Sequence, residues 1–213
     1  PSTIYAQGTF EVTGTSGNVL GNSVSDLNFY GGALRFAPSG SNANVSVNGQ
    51  NEGSRYFLNA HSAIELDKGN NNSLSVTLGG TSATAFFVRG GGPGTLVIKP
   101  SSGLANLGTA SGESLRIVGS NSNAAPAVTN GIVAPWMVGQ DTNGKGDFLT
   151  YSGSATVSDI GFQVANYTAT NSFAGASATS VIKITTSQTV SADTSVYGLR
   201  NDSTITITSG RFL

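Results

Sequence analysis

Apolar and polar positions along the chain alternate with a period of two, in short bursts. Residues 9–12, 27–30, 34–36, 45–47, 74–78, 96–98, 115–118, 182–184 and 204–208 are β-branched or aromatic stretches that each end near Gly, Asn or Ser, as strands bounded by turns do. Within them Phe10 and Val12, Leu74, Val76 and Leu78, Ile182 and Ile184, and Ile205 and Ile207 fall on one face, with Ser, Thr, Glu or Lys on the other. Successive side chains of a strand point to opposite faces, so these read as half-buried strands. No window of about 11 residues carries apolar positions at i, i+3, i+4 and i+7 free of Gly and β-branched runs, and Gly, Ser, Thr and Asn are weak helix formers. The pattern predicts an all-β chain.

The spacing of the bursts selects among all-β architectures. Gly31-Gly32, Gly79-Gly80, Gly90-Gly91-Gly92 and Ser111-Gly112 separate strand-like runs, and the runs at 32–36, 94–98 and 113–117 resemble one another. Imperfect recurrence of this kind predicts stacked coils, a parallel β-helix or β-solenoid with a circuit of ~20 to 25 residues. The alternative is a β-sandwich, in which the glycine pairs close hairpins. Asn70-Asn71-Asn72 is a candidate coil corner or stacked amide ladder, because Asn tolerates positive φ. The rhythm divides the chain into coils over 1–123, an irregular or wider segment over 124–178 that holds Trp136 and Met137, and further coils over 179–213 leading toward a next repeat. The start at Pro1-Ser2-Thr3 reads as processed or excised, and the end reads as the onset of a new strand-turn-strand unit.

Composition narrows the function classes. Only 10% of the residues are charged, against roughly 25% in an average soluble domain, so solubility rests on hydroxyls and amides. Lys plus Arg number 10 and Asp plus Glu 11. With no basic cluster, counterion release cannot drive nucleic-acid binding, nor can a polybasic segment dock on a membrane. No run of ~18 apolar residues predicts a transmembrane helix. Cysteine is absent, which removes thiolate catalysis, zinc-cysteine sites and disulfides together.

One segment is more specific than the rest. Thr129-Asn130-Gly131-Ile132-Val133-Ala134-Pro135-Trp136-Met137-Val138 is followed by Asp147-Phe148-Leu149-Thr150-Tyr151 and then Tyr167-Thr168-Ala169. This pattern resembles the module of autotransporter-associated β-strand repeat proteins, and the flanking strands resemble its repeats. The resemblance implies a passenger-like β-helix within a long, repetitive, extracellular or cell-surface protein of bacterial type. It brings no catalytic residue and no cofactor.

Candidate chemistry is sparse. His61, the single histidine, stands near Glu65 and Asp67, a base with two orienting carboxylates in a catalytic reading; without a nucleophile elbow it reads as a surface or corner residue. Carboxylates set against Arg55 or Arg89 are the candidates for a carbohydrate-cleaving site. The stretch 140–147 begins like an EF-hand loop, but Lys145 and Ser152 occupy ligand positions, so an EF-hand is excluded. Asp141, Asn143 and Asp147 remain as a calcium candidate beside the reading of an ordinary turn. The glycines at 90–94 have no helix or Lys-Ser/Thr pair behind them, which reads as a loop and not a phosphate cradle. Asn44, Asn71, Asn166 and Asn201 sit in glycosylation-type sequons. Trp136 is a candidate sugar-stacking platform, with core packing as the alternative. The expectation is a non-catalytic structural rod or surface-layer subunit that associates head to tail or with neighbouring repeats. An adhesin module binding glycans is the alternative, and a β-helical carbohydrate-active enzyme the third reading.

Overall fold

A computed structural model describes residues 2–5, 8–16, 20, 27–50, 56–80, 87–89, 93–119, 125–154 and 160–213. Its first eleven strands are β1 (Ser2–Tyr5), β2 (Thr9–Val12), β3 (Leu27–Tyr30), β4 (Ala33–Phe36), β5 (Asn44–Gln50), β6 (Tyr56–Leu58), β7 (Ser62–Leu66), β8 (Ser73–Gly80), β9 (Phe87–Arg89), β10 (Leu96–Pro100) and β11 (Glu113–Gly119). They belong to three sheets that the chain visits in a fixed order. Sheet I holds β1, β3, β6 and β9; sheet II holds β2, β4, β7 and β10; sheet III holds β5, β8 and β11. Every pairing among these strands is parallel, so none of them closes the hairpins that a β-sandwich of this sequence requires.

Glycine and asparagine make the corners. Gly31 and Gly32, at φ 96° and 83°, carry the chain from sheet I to sheet II instead of closing a hairpin, and only Gly holds two such angles in succession without steric cost. Asn42 turns the next corner at φ 57°. One circuit later Asn70 bridges Ser41, and the Asn72 amide donates to the Asn42 carbonyl at 3.1 Å. The asparagine triplet is thus a corner tied to the corner before it.

Only the first circuit keeps to the expected length. Along sheet II the ladder partners run from Thr9 to Ala33, then to Ala63, to Val97 and to Val138, and each step takes up more chain than the one before. Inside lie continuous rows. Leu34, Ile64 and Ile98 from sheet II stack in register, as do Val47, Val76 and Leu115 from sheet III, all buried. Each buried aliphatic side chain contributes roughly 1.5–3 kcal/mol.

The pairing changes sense after residue 140. β12 (Met137–Gln140) adds to β10 in parallel, and then β13 (Gly146–Ser152) and β14 (Gly161–Val164) follow as an antiparallel meander at the same end of sheet II. A second, narrower set of ladders follows: β15 (Ala169–Thr170), β16 (Val181–Ile184) and β18 (Gly198–Asn201) form one parallel sheet, β17 (Gln188–Val190) and β19 (Ile205–Ile207) another. Here the ladder steps from Ala169 to Ile182 and on to Leu199, so these circuits are shorter than any in sheet II. The second set docks on the meander through Val181, which packs with Ile132 and Ala165. No helix among the described residues is long and apolar enough to cross a membrane.

Candidate functional site

The outward row of sheet II is a charge ladder. Glu11 is the partner of Arg35, Arg35 of Glu65, and Glu65 of Lys99, so the sign alternates from circuit to circuit. Arg35 reaches Glu11 at 3.2 Å and Asp67 at 2.5 Å, and Lys99 reaches Glu65 at 3.4 Å. The hydrogen bond to Asp67 holds the Arg35 guanidinium above its ordinary range. Burial works against the Asp67 carboxylate, but the Arg35 hydrogen bond and the Gly69 N–H outweigh it and leave its pKa below the ordinary 3.8. These side chains are 30% to 45% exposed, and such pairs contribute ~0–1 kcal/mol each. Their arrangement matters more than their energy: Arg35, Glu65, Asp67 and Lys99 floor an open groove that also takes in Gln140, Asp141 and Thr142. A second groove beside it shares Lys99 and Gln140 and includes His61.

His61 is exposed just before β7. Glu65 sits four residues along that strand, about 13 Å away at strand spacing, and is paired with Lys99, while Asp67 is paired with Arg35. The structure does not assemble the base and orienting carboxylates of a hydrolytic triad around this histidine. Arg89 is exposed on β9; Arg55, Gly90, Gly91 and Gly92 lie outside the described residues.

Asp141 and Asn143 share the turn between β12 and β13, but Asp147 does not join them. Asp141 Oδ1 accepts the Leu104 N–H at 3.1 Å, and Asn143 Oδ1 accepts the Lys145 N–H at 2.9 Å. Both oxygens cap backbone donors, as Asp and Asn do in turns. Asp147 is buried, with Arg200 on Oδ2, the Tyr167 hydroxyl on Oδ1 and Lys183 Nζ at 4.0 Å. Among the described residues no three His, Asp or Glu side chains converge as metal ligands.

Asp147 is the centre of a second electrostatic cluster. Arg200 also holds Asp202 at 2.8 Å, and Lys183 lies 5.4 Å from the centre of the Tyr167 ring. Two acids and two bases therefore neutralise one another. Burial opposes the Arg200 charge, yet Asp202 and Asp147 outweigh it and raise its pKa. Burial, and then the hydrogen bond to Asp147, push the Tyr167 phenol far above its ordinary 10.0. With every charge matched, the cluster is suited to holding β13, β16 and β18 together.

Trp136, in the same segment, is half-buried and packs against the main core. Tyr151 lays its ring edge-on to Phe162, centroids 5.1 Å apart. Its hydroxyl accepts the Ile117 N–H at 2.8 Å and donates to the Ile117 carbonyl at 3.1 Å. β11 is the last strand of sheet III, so this phenol takes the place of the next strand.

Sequence reasoning passed over Glu113. It is fully buried in register with Leu74 and Val45, and it accepts from the Ser101 hydroxyl at 2.6 Å, from the Ser102 hydroxyl, and from the Ser102 and Lys68 N–H groups at 3.2 and 3.4 Å. The phase of Leu115 and Ile117 was the available signal, since period two places Glu113 inward. Of the sequon asparagines, Asn71 is buried with its amide on the Lys68 carbonyl at 3.0 Å, whereas Asn44, Asn166 and Asn201 are exposed. No protein-family model matches the chain, and comparison with curated proteins and with solved structures gives no match.

Proposed function

We propose that the chain is a structural, non-catalytic β-helical segment of a long extracellular or cell-surface protein of the autotransporter-associated repeat type. The observation that carries this reading is the fixed cycle through three parallel sheets around continuous inward rows. Such a stack gains ~4.8 Å of length per circuit and needs few charges, because each strand satisfies its neighbours' backbone groups. The acids and bases support the same reading, since they are spent on corners, on the outward ladder and on the Asp147 cluster. Electron microscopy of the purified chain is expected to give rods with a ~4.8 Å repeat along the axis. Compact particles without that repeat refute the proposal.

The groove over the charge ladder favours a second reading, an adhesin module that takes a polar ligand such as a glycan along sheet II. Glycan-array binding lost on Lys99→Ala but kept on Trp136→Phe supports it; a silent array removes it.

A further inference from the structure

We propose that two copies of this chain pair face to face through the outward side of sheet II, about a two-fold axis that runs along the strands between the Arg35 and Glu65 rungs. The proposal needs only the register of that sheet. Glu11, Arg35, Glu65 and Lys99 occupy successive rungs of one outward row, and their charges run minus, plus, minus, plus. Such a row is complementary to its own reverse. The two-fold sets Glu11 opposite Lys99 of the second copy and Arg35 opposite Glu65 of the second copy, so opposite charges meet at every rung. Each contact occurs twice, as in any isologous interface. A two-fold along the row instead of along the strands sets every charge against its own kind, so the ladder selects one orientation.

The neighbouring rows accept the same arrangement. Two residues earlier on each strand the outward row is Thr9, Ala33, Ala63 and Val97, short side chains above which the charged ones stand clear. The two-fold places Ala33 opposite Ala63 and Thr9 opposite Val97, so nothing bulky in this row props the copies apart. Two residues later, the Asp67 N–H donates to the Phe36 carbonyl at 2.8 Å, which sets Asp67 beside Ala37 in the ladder. Across the two-fold Asp67 therefore meets Ala37 of the second copy and not another carboxylate. The charged row is open to a partner: the side chains of Glu11, Arg35, Glu65 and Lys99 are 32% to 45% exposed. At ~4.8 Å per rung the row spans on the order of 15 Å, a small contact beside the ~800 Å² per partner of a stable complex. The pairing is accordingly weak, and because it joins exposed charges it is screened by salt.

Charge exchange tests the register directly. Sedimentation equilibrium of the whole chain at low salt, up to about a millimolar, is expected to show a monomer–dimer equilibrium that weakens as salt is added. Glu11→Lys and Lys99→Glu each set like charges together twice in the dimer, and each is expected to raise its dissociation constant at least ~10-fold. An equimolar mixture of the two single variants restores opposite charges at every rung and is expected to recover wild-type affinity. Recovery requires both chains to be folded, so it separates a lost contact from a lost structure. The chain carrying both substitutions, Glu11→Lys/Lys99→Glu, is expected to pair with itself and to lose pairing with the wild type. A double variant as weak as the single ones overturns the two-fold register, as do species that grow beyond the dimer. A wild-type chain that stays monomeric at low salt overturns the pairing altogether; if that monomer binds a glycan array through Lys99, the face belongs to the glycan instead.

Discussion

Replacing Tyr151 by Phe isolates what closes the end of the wide ladders. The substitution keeps the ring against Phe162 and removes only the hydroxyl, which serves both the N–H and the carbonyl of Ile117. Ile117 is fully buried and Tyr151 is 7% exposed, so water does not replace the lost partner. A buried backbone group left unpaired costs roughly 1–3 kcal/mol; with two groups affected and some relaxation, the loss is about 2–4 kcal/mol. In a chain of this size that lowers Tm by roughly 5–15 °C. Urea unfolding is expected to show a lower midpoint with an unchanged slope. The Ile117 amide is expected to exchange about 30-fold faster with solvent for a 2 kcal/mol loss. A stability change below about 0.5 kcal/mol, within the range of an ordinary surface substitution, refutes the assignment of Tyr151 as the stand-in for a missing strand. So does a large change that leaves Ile117 exchange as it was.

Three further outcomes follow from the same geometry. Asp147→Asn strips the charge that faces Arg200 and Lys183 and is expected to cost about 3–5 kcal/mol, measured by thermal melting; the loss is expected to shrink when Arg200→Met is added. The raised pKa of Tyr167 means that its neutral form is favoured in the folded state, so its contribution is full below pH ~10 and is lost as pH rises through the folded value; absorbance titration at 295 nm is expected to show a late phenol transition that Tyr167→Phe removes. Gly161→Ala is expected to cost over ~3 kcal/mol, because the added Cβ would lie 2.2 Å from the Leu115 carbonyl oxygen at a φ of 86°. Gly144→Ala, at φ 83° with nothing within 4 Å, is expected to cost only the ~1–2 kcal/mol of a left-handed residue; chemical denaturation of the pair separates contact from backbone strain.

The all-β character and several strands were legible because period-two alternation follows directly from strand geometry; the expected runs at 9–12 and 27–30 coincide with β2 and β3. The register was not. The similarity between 32–36 and 94–98 aligns Leu34 with Leu96, yet the ladder runs from Leu34 through Ile64 to Ile98, and 113–117 belongs to another sheet. A two-residue slip keeps each side chain on its own face, so alternation alone cannot detect it. The residues of the calcium candidate find separate partners for a related reason. Asp141 and Asp147 are close in sequence, but one caps a hairpin turn while the other lies on a strand face whose charge partners, Lys183 and Arg200, are remote along the chain. Glu113 was legible in principle, from its phase, and what satisfies it was not, because Ser101 and Ser102 come from the corner between β10 and β11 and Lys68 from the circuit before.

The tryptophan segment gains its meaning from the mismatch it spans. On one side the circuits have grown until a single step runs from Val97 to Val138; on the other the steps run only from Ala169 to Ile182 and from Ile182 to Leu199. The two sets of ladders therefore differ too much in width to continue one another strand for strand. Backbone groups at such a step need partners that are not strands, and an antiparallel meander with polar side chains supplies them. Tyr151 serves the edge of β11, while Asp147 draws in Tyr167, Lys183 and Arg200 from the narrow side. In a chain with only 10% charged residues, placing a buried acid among two bases at this one junction is a marked concentration of charge. Hydrophobic contact fixes direction poorly, whereas a carboxylate shared by a phenol and a guanidinium accepts few geometries. The cluster therefore sets the alignment of the narrow ladders on the wide ones.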